Sequence, residues 1–339
     1  MPDEASPVTA AADPGAGAGA GPRISPGFGD RLAGRVAERR SQIVLGLDPD
    51  PARLWPRALE IVAEAAGTPA ERASRAITAH CRLVLEAAGE HCVAVKPQVA
   101  CFERLGAPGW ASLAEVVRDA AGQGLIVIGD AKRGDVDISA RAYGQAFFGR
   151  TPSPFGDIEG LGVDALTVNP LLGRDSLSPL VESARAAGGA VLALVRTSNP
   201  GAADVQDRAL AEGGTVSGAL ARIVDELGRP AIGAAGLSDV GAVTGATAPE
   251  RLEQLRALMP HAVLLLPGIG PQGGSGRGLA PAFAPGPAGG LVSASRAIVY
   301  AHERDSTVSA GAGAGSSEPA AAARAEASRL QELIWSLYA

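Results

Sequence analysis

Eight short apolar runs, separated for the most part by helix-like stretches, constrain this chain more than any other feature. They are "IVLGLD" (43–48), "CVAVKP" (92–97), "LIVIGDAK" (125–132) and "ALTVNP" (165–170), then "AVLALVRTS" (190–198), "VGAVTGAT" (240–247), "AVLLLPGIG" (262–270) and "GLVSASRAIVY" (290–300). The runs are continuous rather than alternating, which marks strands buried on both faces. Parallel strands need long crossovers, and segments such as "PARLWPRALEIVAEAAG" and "SGALARIVDELG" supply them as helices. Eight β/α units predict an α/β fold, a TIM (β/α)8 barrel built as a single domain. A length of 339 residues suits that architecture. The alternative is an open doubly wound sheet, but no GxGxxG follows the first run.

The ends of the chain read differently. Residues 1–22 are Ala/Gly/Pro-rich without periodicity and predict a disordered tail, with neither the basic nor the apolar region of a secretory signal. The barrel domain is expected over 23–306. "TVSAGAGAGSSEPAAAA" (307–323) reads as a low-complexity linker. A C-terminal helix follows at 324–339, where Leu330, Leu333, Ile334, Leu337 and Tyr338 fall at helical spacing and should dock on the body. The formal net charge of -6 leaves no basic footprint for nucleic acid. No apolar run reaches the roughly 18 to 20 residues that span a membrane. Cys81, Cys92 and Cys101 have neither metal-ligand spacing nor an even count, and read as reduced thiols of a cytoplasmic protein.

The charged residues are distributed unusually. Of 30 basic residues only two are lysine, Lys96 and Lys132, and each ends an apolar run. Arginine stays protonated at ordinary pH, whereas a lysine's pKa moves readily on burial. Polar residues gather at the C-terminal ends of the runs: Asp48, Lys96, Asp130, Lys132, Asn169, Ser198, Gln272 and Arg296. In a TIM barrel that face carries the active site. Taken singly, Asp48 and Asn169, each before a proline, read equally as turn residues, and Ser198 as a helix cap. Residues i and i+2 of a strand share a face, so Asp130 and Lys132 point together with Ala131 turned away. Lys96 can reach the same space from a neighbouring strand, and Asp135 lies past the strand end. The product is an alternating Lys-Asp-Lys-Asp array in which pairing offsets desolvation. A purely structural ion-pair network would show the same pattern. The Gly-rich "LLLPGIGPQGGSGRG" offers open backbone N–H groups. Arg296 follows at the next strand end, and the loops after strands seven and eight are the usual phosphate site of this fold.

With these residues in view, the chain resembles orotidine 5'-monophosphate decarboxylases, the enzymes that complete de novo UMP synthesis. The DxKxxD element stands as "DAKRGD", and "LGLDPDP", "VKPQVACFERLG", "TVNPLLG", "VRTSNPG", "TGATAPERL", "PGIGPQGG" and "SASRAIVYA" follow the family order over residues 40–302. The wording is similar to the longer bacterial branch. The resemblance implies a role for each residue. Asp48 would hold a ribose hydroxyl, and Lys96 would bond the ribose and Asp130. Asp130 would face the substrate carboxylate, and Lys132 would protonate C6 as carbon dioxide leaves. Asp135 would come from the partner subunit, which implies a homodimer with shared sites. Ser139 would supply a hydroxyl, Ser198 would contact the pyrimidine, and Gln272 and Arg296 would grip the phosphate. Asn169 joins the substrate-binding set by its place at the fourth strand end. No metal and no organic cofactor is implied. Two departures stand out: the long "SGRGLAPAFAPGPAGG" after the Gly-rich loop, and Ser295 where many shorter relatives carry glycine.

Two other readings compete. Sugar-phosphate barrels that carry DxKxxD and use Mg²⁺ would need a further carboxylate near the strand ends, where this chain places Lys96. A non-catalytic nucleotide-binding protein would be expected to have lost a member of the charged array.

Overall fold

The computed structural model describes residues 27–245, 249–267, 276–308 and 318–338. The predicted tail 1–22, Gln272 and the middle of the predicted linker lie outside them. All eight runs form strands: β1 Ile43–Leu47, β2 Ala94–Pro97, β3 Ile126–Arg133, β4 Ala165–Val168, β5 Ala190–Arg196, β6 Val240–Thr244, β7 Leu264–Pro267 and β8 Gly290–Ala294. They close in the order β1-β8-β7-β6-β5-β4-β3-β2, and every pairing is parallel. This is the predicted barrel.

The strand faces alternate between two apolar layers. Val44, Ala94, Ile126, Ile128, Leu192, Val263 and Leu291 fill the barrel interior. Ile43, Leu45, Val95, Val127, Val191 and Val292 pack outward against the helices. Helix α1 (Phe28–Arg39) closes the N-terminal end, where its Phe28, Leu32 and Val36 join the interior layer. Its arginines grip the segments that lead into the strands. Arg31 pairs with Asp164 at 2.9 Å and donates to the Gly188 carbonyl, while Arg39 donates to the carbonyls of Gly89 and Cys92. The N-terminal face is thereby sealed, and the interior opens only toward the C-terminal ends of the strands.

The outer ring departs from regularity after β7. Among the described residues between β7 and β8 the chain forms 3-10 segments, the longer being Gly276–Phe283, and no α-helix. Helix α2 (Pro249–Leu258), which follows β6, holds that segment through Arg256. The Arg256 guanidinium is buried and has no acidic partner among the described residues. It donates instead to the carbonyls of Met259, Ala262, Pro281, Ala282 and Gly289 at 2.7–3.2 Å. Burial pushes this group down to about 10, so it stays charged at neutral pH.

The C-terminal helix α3 (Pro319–Tyr338) completes the ring. It packs against the helix Pro69–Ala88 that follows β1, against the 3-10 segment, and against β1 itself. It starts earlier than the predicted 324, because Pro319 suits a first helical turn and the following alanines are strong helix formers. The alanine run therefore belongs to the helix rather than to a linker. The face that docks is also rotated from the predicted one. Ala322, Ala323, Ala327, Leu330 and Ile334 are buried, whereas Leu333 and Leu337 are exposed. Small alanines let the helix backbone approach its neighbours closely. Tyr338 stacks on Phe283 with ring centroids 4.1 Å apart.

Replacing Arg256 by Met would fill the same space but leave the Ala262, Ala282 and Gly289 carbonyls without their donor, while those of Met259 and Pro281 keep backbone donors in Ala262 and Ala284. Arg256→Met is expected to lower unfolding free energy by roughly 3 kcal/mol, since each buried group left unsatisfied costs about 1–3 kcal/mol and some will find water. Denaturant unfolding of the two proteins measures the difference.

Candidate active site

The interior face of β3 runs Ile126, Ile128, Asp130, so the strand that builds the apolar layer ends by placing a carboxylate above it. Asp130 and Lys96 are both buried, at 6% and 8% exposure. Lys96 Nζ lies 2.7 Å from Asp130 Oδ2, and Lys132 Nζ lies 2.5 Å from Oδ1. The carboxylate accepts two further bonds, from Gln98 Nε2 at 3.0 Å and from Thr167 Oγ1 at 2.9 Å. Four donors thus converge on one carboxylate, two of them charged, which is what a buried anion requires.

The strand geometry that makes this possible is not the extended one predicted. β3 pairs with β4 as Ile128↔Ala165 and Gly129↔Leu166, but the next pair is Arg133↔Val168, so Asp130, Ala131 and Lys132 lie within a register shift. Lys132 has φ of 51°, a left-handed conformation rare for a residue with a side chain. Asp130 and Lys132 do meet, but through a bulge, a device that re-aims side chains near active sites. Arg133 turns away from the site: it pairs with Glu103 and lies over the Tyr143 ring. Gly134 is needed because a Cβ there would come within 2.8 Å of the Asn169 carbonyl oxygen.

The other predicted residues are placed unevenly. Asp48 sits at the end of β1 and accepts a 2.7 Å bond from Ser295 Oγ. Gly46 permits that approach, since a Cβ at 46 would lie 2.6 Å from Ser295 Cβ. Asn169 spends its side-chain oxygen on the Leu171 N–H, which is the turn role its Asn-Pro context allowed. Ser139, Ser198 and Arg296 are exposed at the same face of the barrel. Gln272 lies outside the described residues. Asp135 is not drawn into the array of its own chain: its side chain accepts from the Val136 N–H at 2.8 Å and makes no ion pair with Lys96 or Lys132.

Sequence reasoning left out Thr167 and Gln98, both on Asp130. A signal existed for Thr167, the one polar residue in the run "ALTVNP" before its end, on the inward-facing side. It also left out the support of the loop after β5. There Asp207 pairs with Arg196 at 3.1 Å and with Arg251, while Gln206 Oε1 accepts from the Thr197 N–H at 2.7 Å. A cavity beside that loop is lined by Asn169, Leu171, Leu194, Asn199, Val205 and Gln206.

A barrel sealed below, with a paired buried carboxylate and two ammonium groups at its open end, defines an α/β-barrel enzyme site suited to an anionic substrate. The sequence profile of the Orotidine 5'-phosphate decarboxylase / HUMPS family matches residues 41–310, and the chain belongs to that family. It is 41% identical over 280 residues to an orotidine 5'-phosphate decarboxylase of Rhodopirellula baltica, covering 82% of this chain and 90% of that one. It is likewise 41% identical over 288 residues to the enzyme of that name from Deinococcus radiodurans, covering 83% and 92%. Its fold matches the structure of Leishmania donovani OMP decarboxylase with a TM-score of 0.63 and 29% identity, over 91% of this chain and 98% of that chain.

Burial pushes the Asp130 carboxyl up, but the charges of Lys96 and then Lys132 outweigh it and hold the group at about 2, below its ordinary 3.8. A carboxyl depressed on folding stabilises the fold above its unfolded pKa and loses that contribution as pH falls through the folded value. The window here runs from about pH 4 down to about pH 2, and the difference corresponds to about 2 kcal/mol. Urea unfolding of the wild type and of Asp130→Asn across this range should show the wild type losing about that much more stability than the variant. Parallel pH curves would show that Asp130 is not held as an anion.

Proposed function

We propose that this chain decarboxylates orotidine 5'-monophosphate to UMP and carbon dioxide in pyrimidine biosynthesis, without a metal. The observation that carries the mechanism is the pairing of both Asp130 oxygens with Lys96 and Lys132. The substrate's C6–carboxylate bond breaks, carbon dioxide leaves, and the electron pair remains on C6, where the ring delocalises it poorly. Lys132 Nζ is the ammonium that stabilises this charge and gives its proton to C6. A preorganised cation supplies more stabilisation than one that water must reorient around. Asp130 would face the departing carboxylate and help hold Lys132 in place. Binding energy from the remote phosphate would keep the carboxylate there, with Gln272 and Arg296 as the gripping residues. Asp48 and Lys96 would hold the ribose, Ser139 and Asn169 would line its pocket, and Ser198 would meet the pyrimidine.

A Mg²⁺-dependent sugar-phosphate reaction suits this site less well. A cation at the strand ends would need free carboxylate oxygens, and those of Asp130 are occupied by two ammonium groups and two neutral donors. In excess EDTA the purified protein should convert orotidine 5'-monophosphate to UMP, followed by ultraviolet absorbance. Activity lost in EDTA and returned by Mg²⁺ would favour the sugar-phosphate chemistry.

The reading includes a cytoplasmic homodimer with Asp135 serving the neighbour's site. Two features support the dimer. Asp135 finds no cation of its own array, and Val136, Ile138, Leu171 and Leu172, exposed apolar residues, follow the ends of β3 and β4. For the compartment, the three cysteines are free thiols. Among the described residues no helix is long and apolar enough to cross a membrane. Lys132→Ala and Asp135→Ala should each be nearly inactive alone. After subunit exchange of equal amounts, half the dimers are mixed and each of these has one intact site. About a quarter of wild-type activity should therefore return, by the symmetry of a two-fold interface. No recovery after demonstrated exchange would place Asp135 in its own subunit's site.

A further inference from the structure

We propose that Thr167 is a positioning residue of this site: its hydroxyl bridges the Lys132 backbone N–H to the Asp130 carboxylate and so sets the direction of the Lys132 ammonium. The inference rests on the functional reading above and deepens it.

The argument starts from the interrupted ladder. Between Gly129↔Leu166 and Arg133↔Val168 the two strands fall out of step, so β4 offers no backbone partner in register for the intervening residues of β3. A backbone N–H that faces protein without a partner is costly, and the Lys132 N–H lies in that gap, facing the buried Thr167. The side chain of Thr167 takes the place of the missing carbonyl. Its Oγ1 accepts from Lys132 N at 3.0 Å and donates to Asp130 Oδ1 at 2.9 Å. The hydroxyl thereby satisfies a donor and an acceptor at once, using its own proton and a lone pair.

Three features make this arrangement stiff. Thr167 is 1% exposed, so water does not compete for its hydroxyl. A β-branched side chain in a strand has restricted χ1, so Oγ1 is held where the strand puts it. The ladder closes again just beyond, with Asn169 N donating to the Arg133 carbonyl at 2.7 Å, which fixes the far end of the bulge. Between these anchors sits the left-handed backbone of Lys132 at φ 51°. Non-glycine residues keep such conformations only where their surroundings over-determine them. The Thr167 hydroxyl and the Lys132–Asp130 pair are contacts that hold Lys132 itself in this conformation. A valine at 167 would have the same shape but would leave the Lys132 N–H unpaired and remove one donor from Asp130. The lysine would then be free to relax toward an ordinary φ, which would swing its ammonium away from the position above Asp130.

Thr167→Val tests this, with Thr167→Ala as a second variant that lacks the hydroxyl, should the valine protein fail to fold. Wild-type decarboxylation of orotidine 5'-monophosphate is measured first. An inactive wild type overturns the functional reading and the role of Thr167 with it. With an active wild type, the folded variant lacking the hydroxyl should lose at least roughly 10-fold in kcat with KM within about 3-fold, because the interaction lost acts on the reacting lysine rather than on substrate binding. Thr167→Ser, which keeps the hydroxyl, should return most of the lost kcat. Unchanged kcat in a folded Thr167→Val or Thr167→Ala protein would overturn the proposal. A loss of kcat that serine does not restore would also overturn it, since the effect would then belong to packing.

Discussion

The Asp130 carboxylate is the interaction on which the rest of the site depends. It is buried at the top of the barrel interior, where an unpaired anion would be strongly disfavoured. It persists because Lys96, Gln98, Lys132 and Thr167 all point their donors at it. Those residues come from β2, the end of β2, β3 and β4, three strands that pair with one another in sequence order. The same carboxylate that collects these donors gathers two ammonium groups into one small volume. In a low-dielectric site such a cluster is fully satisfied or strongly destabilising, so the charges also specify a unique arrangement of the strand ends.

The scaffold separates stability from chemistry along the barrel axis. At the N-terminal end, α1 inserts Phe28, Leu32 and Val36 beneath the interior layer, and its arginines bind the backbone of the segments entering β2 and β5 and the Asp164 side chain just before β4. On the side of the barrel, Arg256 ties α2 to the 3-10 segment after β7 with carbonyls alone. These contacts touch no residue of the charged cluster. The C-terminal end is left to carry groups selected for geometry, including a left-handed lysine and a bulged strand. That division is the general logic of this fold, in which the C-terminal face is free to vary for function.

The terminal helix shows a second separation. Its sequence after the alanine run has a leucine-rich pattern that predicts a docking stripe; Leu330 and Ile334 of that stripe dock together with the alanines, while Leu333 and Leu337 remain exposed. Periodicity reports that a helix has apolar residues on one side. Which side is buried depends on what the neighbouring helices leave open, and here the close approach to the Pro69–Ala88 helix favours small side chains. Tyr338 then reaches Phe283, linking this helix to the 3-10 segment after β7.

The sequence by itself determined the eight strands, their parallel closure and the identity of Lys96, Asp130 and Lys132 as a cluster. Strand burial on both faces needs continuous apolar runs, and a charged residue ending such a run is visible without any fold. The family motifs then named further residues, because they are contiguous in the chain. Only the tertiary structure decided how the cluster is held. Two residues apart on an extended strand would have brought Asp130 and Lys132 together, but they meet through a bulge. Within that bulge the Lys132 N–H donates to Thr167, which lies 35 residues beyond Lys132 and carries no charge to announce it. Gln98 and the Asp207 pairs with Arg196 and Arg251 are of the same kind: short-range hydrogen-bond geometry between separate segments. Such geometry leaves little mark on a sequence, because a threonine or glutamine satisfies many local roles equally well. Three-dimensional packing alone selects which partner it meets.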